Sequence, residues 1–249
     1  MIHSFFRFSF ILLNALEILP VTLLLYLLSF APGADKSAWY RKLFRYWCQV
    51  FTRVLGVDLH LHQHNREALP QQFIMIANHP SAFEDIGLPA LFDVTSLAKA
   101  EVRDWWILGR ISTAAGTLYV KRESRKSRAS ALQQLIEHIK HGESVALYPE
   151  GGCMGKRLHE RFFYGAFEAS LQTGVPIVPV FIHYEAQDDF YWAPRVLLIK
   201  KMWQILRARN NRANFHVFDA FYPKDFNDKQ QYCQQVYDQY LLWQSRYLD

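Results

Sequence analysis

The sequence predicts an α/β fold, a mixed and largely parallel sheet covered by helices, with an N-terminal helical pair set before it. Beyond Pro70, short apolar runs of strand type alternate with segments of helical period, the pattern of strands joined through crossover helices. Several of these runs empty into polar or glycine-containing turns that carry ionisable residues. At 249 residues the chain supports one sizeable core plus an appendage, divided here into residues 1–60 and 61–249.

The appendage comes first. Phe8 to Phe30 is predominantly apolar and, at ~1.5 Å per helical residue, is long enough to cross a bilayer. Asn14, Glu17 and Pro20 interrupt it, and a carboxylate at mid-bilayer costs ~2.5–3.5 kcal/mol. A kinked anchor or a helix lying in one leaflet therefore stands beside a clean span. His3 and Arg7 ahead of the stretch also fit a signal peptide, which ranks lower because the stretch is long and bases follow it at once. After Pro32-Gly33, a second helix over Ser37–Leu55 repeats Tyr40, Leu43, Phe44, Trp47 and Phe51 at three- and four-residue steps, with Arg41, Lys42, Arg45 and Arg53 mostly elsewhere. Aromatics interleaved with bases suit a headgroup layer.

Net charge +5 and 16% aromatic content point to an anionic partner, and membrane lipids fit because both features concentrate near the N-terminus. The remaining bases are dispersed and carry no nucleic-acid motif, so no nucleic-acid partner is expected. Bases just after the first apolar segment place the protein at the cytoplasmic face of the inner or plasma membrane. Cys48, Cys153 and Cys233 are odd in number and far apart, which indicates neither a disulfide frame nor a metal site.

In the body, strands are expected at Gln72–Ala77, Thr95–Lys99, Thr117–Lys121, Ser144–Tyr148, Ile177–Tyr184 and Asn214–Phe221. Helices are expected near Ala82–Phe92, Asp104–Thr113, Ser127–His141, Tyr164–Thr173 and Asn227–Tyr247, with Gly142 and Gly174 as stops. The first strand delivers Asn78, His79 and Pro80 to its end, and Ser81 is suited to cap the helix carrying Glu84 and Asp85. A carboxylate on one ring nitrogen fixes the tautomer and leaves the other free to act as a general base. Lys121 and Arg122 close a later strand, Glu150 and Gly151 follow the apolar run Val145–Tyr148, and Pro176 and Pro179 bracket another run.

With those residues in order, the chain resembles the glycerolipid acyltransferases, whose best-known members are the 1-acyl-glycerol-3-phosphate acyltransferases. Asn78-His79-Pro80-Ser81 with the following acids is similar to the family's catalytic His-and-Asp block. Gly116–Arg122 is similar to the block in which an Arg contacts the acceptor phosphate, Tyr148–Gly151 to a Phe-Pro-Glu-Gly block, and Val175–Val180 to a Val-Pro-Ile-Val-Pro-Val block.

The chain departs from the family in two places. The family's aspartate position holds Glu84, and Asp85 comes one step later; Ile86 after it favours Asp85 as the partner of His79. The family's Glu-Gly-Thr-Arg reads Glu150-Gly151-Gly152-Cys153, and Phe163 stands where a basic residue is expected, so two phosphate contacts are missing unless Lys156, Arg157 or Arg161 replaces them.

The resemblance implies transfer of a fatty acyl group from acyl-CoA or acyl carrier protein to the hydroxyl of a lysophospholipid-type acceptor, without cofactor or metal. His79 with Glu84 or Asp85 would be catalytic, and Arg122, Glu150, Gly151, Lys121, Asn78 and Ser81 would bind substrate. The alternatives are a non-phosphate acceptor, or an inactive lipid-binding membrane protein of the same fold.

Overall fold

The structure is a computed structural model that describes residues 2–33, 38–153, 155–192 and 196–249, with side chains from Leu13 onward. The chain opens with α1 (Ile2–Leu28) and α2 (Ala38–Val54), packed against each other. Ser37, the expected start of the second helix, lies outside the described residues, as do the side chains of His3 and Arg7. The residues that interrupt the apolar stretch are the ones that fasten this pair. Arg53 donates to Asn14 Oδ1 and Glu17 Oε2, each at 3.1 Å, Tyr46 Oη donates to Glu17, and Trp47 Nε1 donates to Thr22 Oγ1 at 2.7 Å. Leu13, Leu16, Leu19, Leu23 and Leu27 are left exposed. Among the described residues, no helix is long and apolar enough to cross a membrane.

The body is a seven-stranded sheet made of β1 (Asp58–Gln63), β2 (Ile74–Ala77), β3 (Thr95–Lys99), β4 (Leu118–Val120), β5 (Val145–Leu147), β6 (Ile177–Tyr184) and β7 (Arg212–Val217). The spatial order is β1-β7-β6-β2-β5-β3-β4; the pair β6–β7 is antiparallel and the other neighbours are parallel. The expected mixed, largely parallel sheet is thus what the chain forms. β1 is an addition to the strands read from sequence, and it takes residues 58–63 into the sheet.

Alternation along the central strands sorts their side chains to two faces. Ile74, Ile76, Val145, Leu147, Ile177 and Phe181 pack beneath α5 (Arg125–Lys140), α6 (Gly165–Thr173) and α9 (Lys229–Leu248). On the other face, Met75, Ala77, Val178, Val180 and Ile182 join a cluster with Leu88, Phe190 and Ile205. Those three belong to α3 (Glu84–Leu91), α7 (Gln187–Phe190) and α8 (Leu198–Arg207). The remaining helix, α4 (Trp106–Ala114), packs with the N-terminal pair. Gly142 and Gly174 sit at φ 86° and 74° after α5 and α6, the left-handed stops expected of them.

Candidate active site

Three parallel strands, β2, β5 and β4, release their carboxyl ends on one edge of the sheet, where open α/β folds place ligands. Pro80 stops β2 after Asn78 and His79. The turn through Ser81 delays the next helix until Glu84, two residues later than the sequence suggests. Ser81 still serves that start: its Oγ accepts from the Phe83 N–H at 3.2 Å, and its own N–H donates to Glu84 Oε2 at 3.0 Å. It is wholly buried, and these bonds hold the turn.

The central pair is His79 and Glu84. His79 Nδ1 lies 2.8 Å from Glu84 Oε2, with the imidazole 4% exposed and the carboxylate fully buried. Tyr184 Oη, from the end of β6, donates to the second oxygen, Glu84 Oε1. Glu84, and not the Asp85 favoured by its neighbour Ile86, therefore meets the imidazole. The spacing of four intervening residues is kept, with an acid one methylene longer than aspartate. Tyr184 was not singled out in the sequence; a tyrosine released at a strand end is the signal that marks it.

Burial, and then the Arg122 charge, push the His79 imidazole down to about 3. Burial also pushes the Glu84 carboxyl well up, opposed by the Tyr184 hydroxyl and the Ser81 N–H. Three donors converge on its two oxygens, the coordination of a carboxylate that orients an imidazole. The other ring nitrogen, Nε2, makes no hydrogen bond to the described residues. Tyr148 stacks on the imidazole with ring centroids 3.9 Å apart and planes at 5°.

Glu150, 2% exposed, accepts from the His79 backbone N–H through Oε1 and from the His159 backbone N–H through Oε2, both at 2.7 Å. It thereby ties the His79 turn to the segment after β5. Asn78 is similarly engaged. Its amide donates to Ile182 O at 2.8 Å and accepts from Ile182 N at 2.7 Å, closing a ring that joins β2 to β6. Asn78 therefore locks the strand ends together.

Lys121 and Arg122 follow β4 into a turn, where they part. Arg122 lines a cavity of about 390 Å³ with Tyr148, Pro149 and Gly151, while Lys121 is exposed and is not among the residues lining it. Gly151 has φ 75°, and a Cβ there would stand 2.6 Å from the Phe163 ring, so the turn requires glycine. A second, apolar cavity of about 150 Å³ runs between α2, α3, α4 and α8, lined by Phe44, Trp47, Phe51, Leu108 and Met202 and bordered by Asp85. The His79 turn lies between the two cavities: Ala82 borders the apolar one, and Tyr148, stacked on the ring, borders the other. Arg125 and Arg128 line the same cavity as Arg122, and the bases suggested as substitutes are each engaged by another side chain. Lys156 pairs with Asp188, Arg157 pairs with Asp249, and the Arg161 guanidinium lies 5.5 Å from the Phe163 ring centroid.

A family model described as Acyltransferase matches residues 60–183. The chain is 36% identical over 155 residues to a lyso-ornithine lipid O-acyltransferase of Pseudomonas aeruginosa, covering 61% of this chain and 58% of that protein. It is 24% identical over 115 residues to a 1-acyl-sn-glycerol-3-phosphate acyltransferase of Neisseria gonorrhoeae, covering 46% of this chain and 45% of that protein. The chain thus matches about half the length of these curated relatives. The crystal structure of the 1-acyl-sn-glycerophosphate (LPA) acyltransferase PlsC from Thermotoga maritima superposes with TM-score 0.58 at 19% identity, over 90% of this chain and 93% of that one, which is a likeness of fold. The matched stretch contains His79, Glu84, Arg122 and Glu150, and the chain belongs to the acyltransferase family.

Proposed function

We propose that the protein transfers a fatty acyl group from acyl-CoA or acyl carrier protein to the hydroxyl of a lyso-lipid at a membrane surface. The observation that carries this reading is the His79–Glu84 pair, whose Nε2 makes no hydrogen bond among the described residues, on a turn whose neighbours Ala82 and Tyr148 border an apolar cavity and one lined by Arg122.

In this reaction His79 Nε2 takes the proton of the acceptor hydroxyl as its oxygen attacks the thioester carbonyl. Glu84 holds the tautomer and stabilises the imidazolium; Tyr184 and Ser81 hold Glu84. The tetrahedral intermediate collapses, the carrier thiolate leaves, and it recovers the proton from His79. A neutral imidazole is the form a base needs, and burial favours it at neutral pH. Proton transfer of this kind supplies roughly 10²–10⁴-fold, with positioning supplying more. No acyl-enzyme is called for. Ser81 Oγ is engaged with backbone, and burial with the nearby carboxyls pushes the Cys153 thiol up, away from the thiolate a nucleophile requires.

The apolar cavity suits the acyl chain and Arg122 suits an anionic group on the acceptor. The exposed leucine face of α1 and the bases of α2 suit docking at an anionic, cytoplasmic membrane surface. The test is purified protein with labelled acyl-CoA and a panel of lyso-lipids including lysophosphatidic acid and lyso-ornithine lipid, products identified by mass. Wild type forms a diacyl product, and His79→Ala loses roughly 10²–10⁴-fold in rate while staying folded. Lipid binding without thioester consumption in wild type would replace the enzyme reading with an inactive lipid-binding one.

A further inference from the structure

The apolar cavity reaches the surface beside α4 and α8, which carry none of the reacting groups. Among the described residues lining it, Trp105 alone is exposed, and it marks the outer rim. Leu198 and Met202 of α8 line it as well. The residues next in sequence to these three face outward: Trp106 is 80% exposed, Ile199 81% and Trp203 56%. Single exposed apolar side chains are ordinary, whereas a set gathered around one opening marks an interaction surface. The orientation of α8 is fixed. Its Lys201 is buried and donates to Asp189 O at 2.9 Å, and Trp192, on the segment before it, donates from its backbone N–H to Pro80 O at 3.1 Å. The outward face is therefore held beside the His79 turn.

Charge identifies the occupant. At about 3.6 residues per turn, Leu198 and Met202 share one arc of α8, Ile199 and Trp203 the next, and Lys200 and Arg207 the one after. Apolar side chains thus run from the cavity into solvent and give way to bases, and α8 carries no acid. The Arg207 guanidinium lies 5.3 Å from the Trp203 ring centroid. On α4, Arg110 follows Trp106 by one turn, lies 3.6 Å from the ring centroid of Phe30, just past α1, and donates to Ser29 Oγ at 3.1 Å. Bases beside tryptophans, with aliphatic side chains next to them, repeat the order of groups met on passing from headgroups to acyl chains. We propose that α8 and the Trp105–Trp106 turn form a second seat on an anionic lipid leaflet, separate from the leucine face of α1, which opens the apolar cavity directly into the acyl layer. A chain housed there enters sideways from the bilayer without crossing water. The seat stands without the acyltransferase reading, and the use of its opening by a substrate chain rests on that reading.

The experiment places a polarity-sensitive dye on Ile199→Cys in the full chain. Cys48 and Cys233 are buried, so Cys153→Ser in the same protein leaves one accessible thiol. On vesicles of phosphatidylcholine with phosphatidylglycerol, the dye emission shifts to the blue and is quenched by lipids spin-labelled on the acyl chain. A dye on Gln235→Cys, exposed on α9, does neither. Ile199→Ser with Trp203→Ser weakens vesicle binding about tenfold or more. Lys200→Glu with Arg207→Glu does so on the phosphatidylglycerol vesicles and has little effect on pure phosphatidylcholine. Neither pair moves the thermal midpoint, since all four side chains are exposed. With a lyso-lipid held in vesicles, the apolar pair lowers turnover in step with binding; with short-chain acceptor and acyl-CoA dissolved as monomers, its turnover matches wild type.

An unquenched dye on vesicle-bound Ile199→Cys protein, or unchanged vesicle affinity in Ile199→Ser with Trp203→Ser, would overturn the seat. So would a dimer in sedimentation that the same double variant dissociates, which would assign the face to a second copy of the chain. Equal losses of turnover with dissolved and vesicle-held substrates would overturn it too, by making the pair part of the active site. No turnover with any acceptor, alongside a quenched dye, would remove the acyltransferase reading and leave the seat in place.

Discussion

Two histidine-centred networks lie on the same sheet and come out oppositely. At the end of β2, one imidazole meets one carboxylate, and its second nitrogen is left unbonded. Across β1, β7 and β6, imidazoles meet imidazoles. His64 Nε2 bonds His216 Nδ1 at 2.9 Å, His216 Nε2 bonds His183 Nδ1 at 3.2 Å, and Asn214 links His183 to His62. The rings stack, His62 on His216 at 4.4 Å and Tyr247 of α9 on His216 at 4.0 Å. His216 therefore has both nitrogens engaged and no reactive face. A histidine stays available for chemistry when a carboxylate takes one nitrogen and no described residue takes the other, and becomes mortar when its neighbours are histidines.

The largest effect that sharpens this contrast is at the carboxylate. Glu84→Gln keeps the volume but loses the charge that holds the tautomer, and acyl transfer should fall by about 10²–10⁴-fold with the thermal midpoint little moved. A loss confined to stability would make Glu84 mortar too. In the ladder the effect is on folding. Burial and then the neighbouring imidazoles push His216 down to about 3, and burial lowers His64 and His183.

The unfolded chain, with ordinary histidines, binds these protons first, so stability present above about 6.5 is lost as pH falls toward 3. Thermal midpoints measured down that range should drop in wild type and drop less in His216→Asn, with kcat of the variant near wild type; parallel slopes would break the distinction. Smallest is Arg53→Ala. Its half-buried pairing with Glu17 is worth roughly 0–1 kcal/mol and its bond to Asn14 about 1 kcal/mol more, so chemical denaturation should shift by no more than about 2 kcal/mol.

The sequence made much of the first network legible and almost none of the second. β3 and β6 have the expected bounds, and the site motifs follow β2, β4 and β5, which fall inside the runs read from sequence. Spacing pointed to Glu84 and the following Ile86 to Asp85, and the bond to His79 Nδ1 falls to Glu84. β1 is absent from the expected strands because Asp58-Leu59-His60-Leu61-His62-Gln63 has no β-branched residue; its pairing with β7 and the stacked imidazoles form it through tertiary contact. Asn78, Ser81 and Glu150 lie in motif positions, but only coordinates show that backbone groups occupy their polar atoms.

The polar residues of α1 have one more consequence. Because Asn14 and Glu17 are both gripped by Arg53, with Thr22 gripped by Trp47 on the same partner, α1 cannot roll about its long axis without breaking several bonds at once. The partner helix also supplies Phe44, Trp47 and Phe51 to the apolar cavity. The outward leucine stripe is thereby held at a set angle to that cavity, like a keel bolted to its hull.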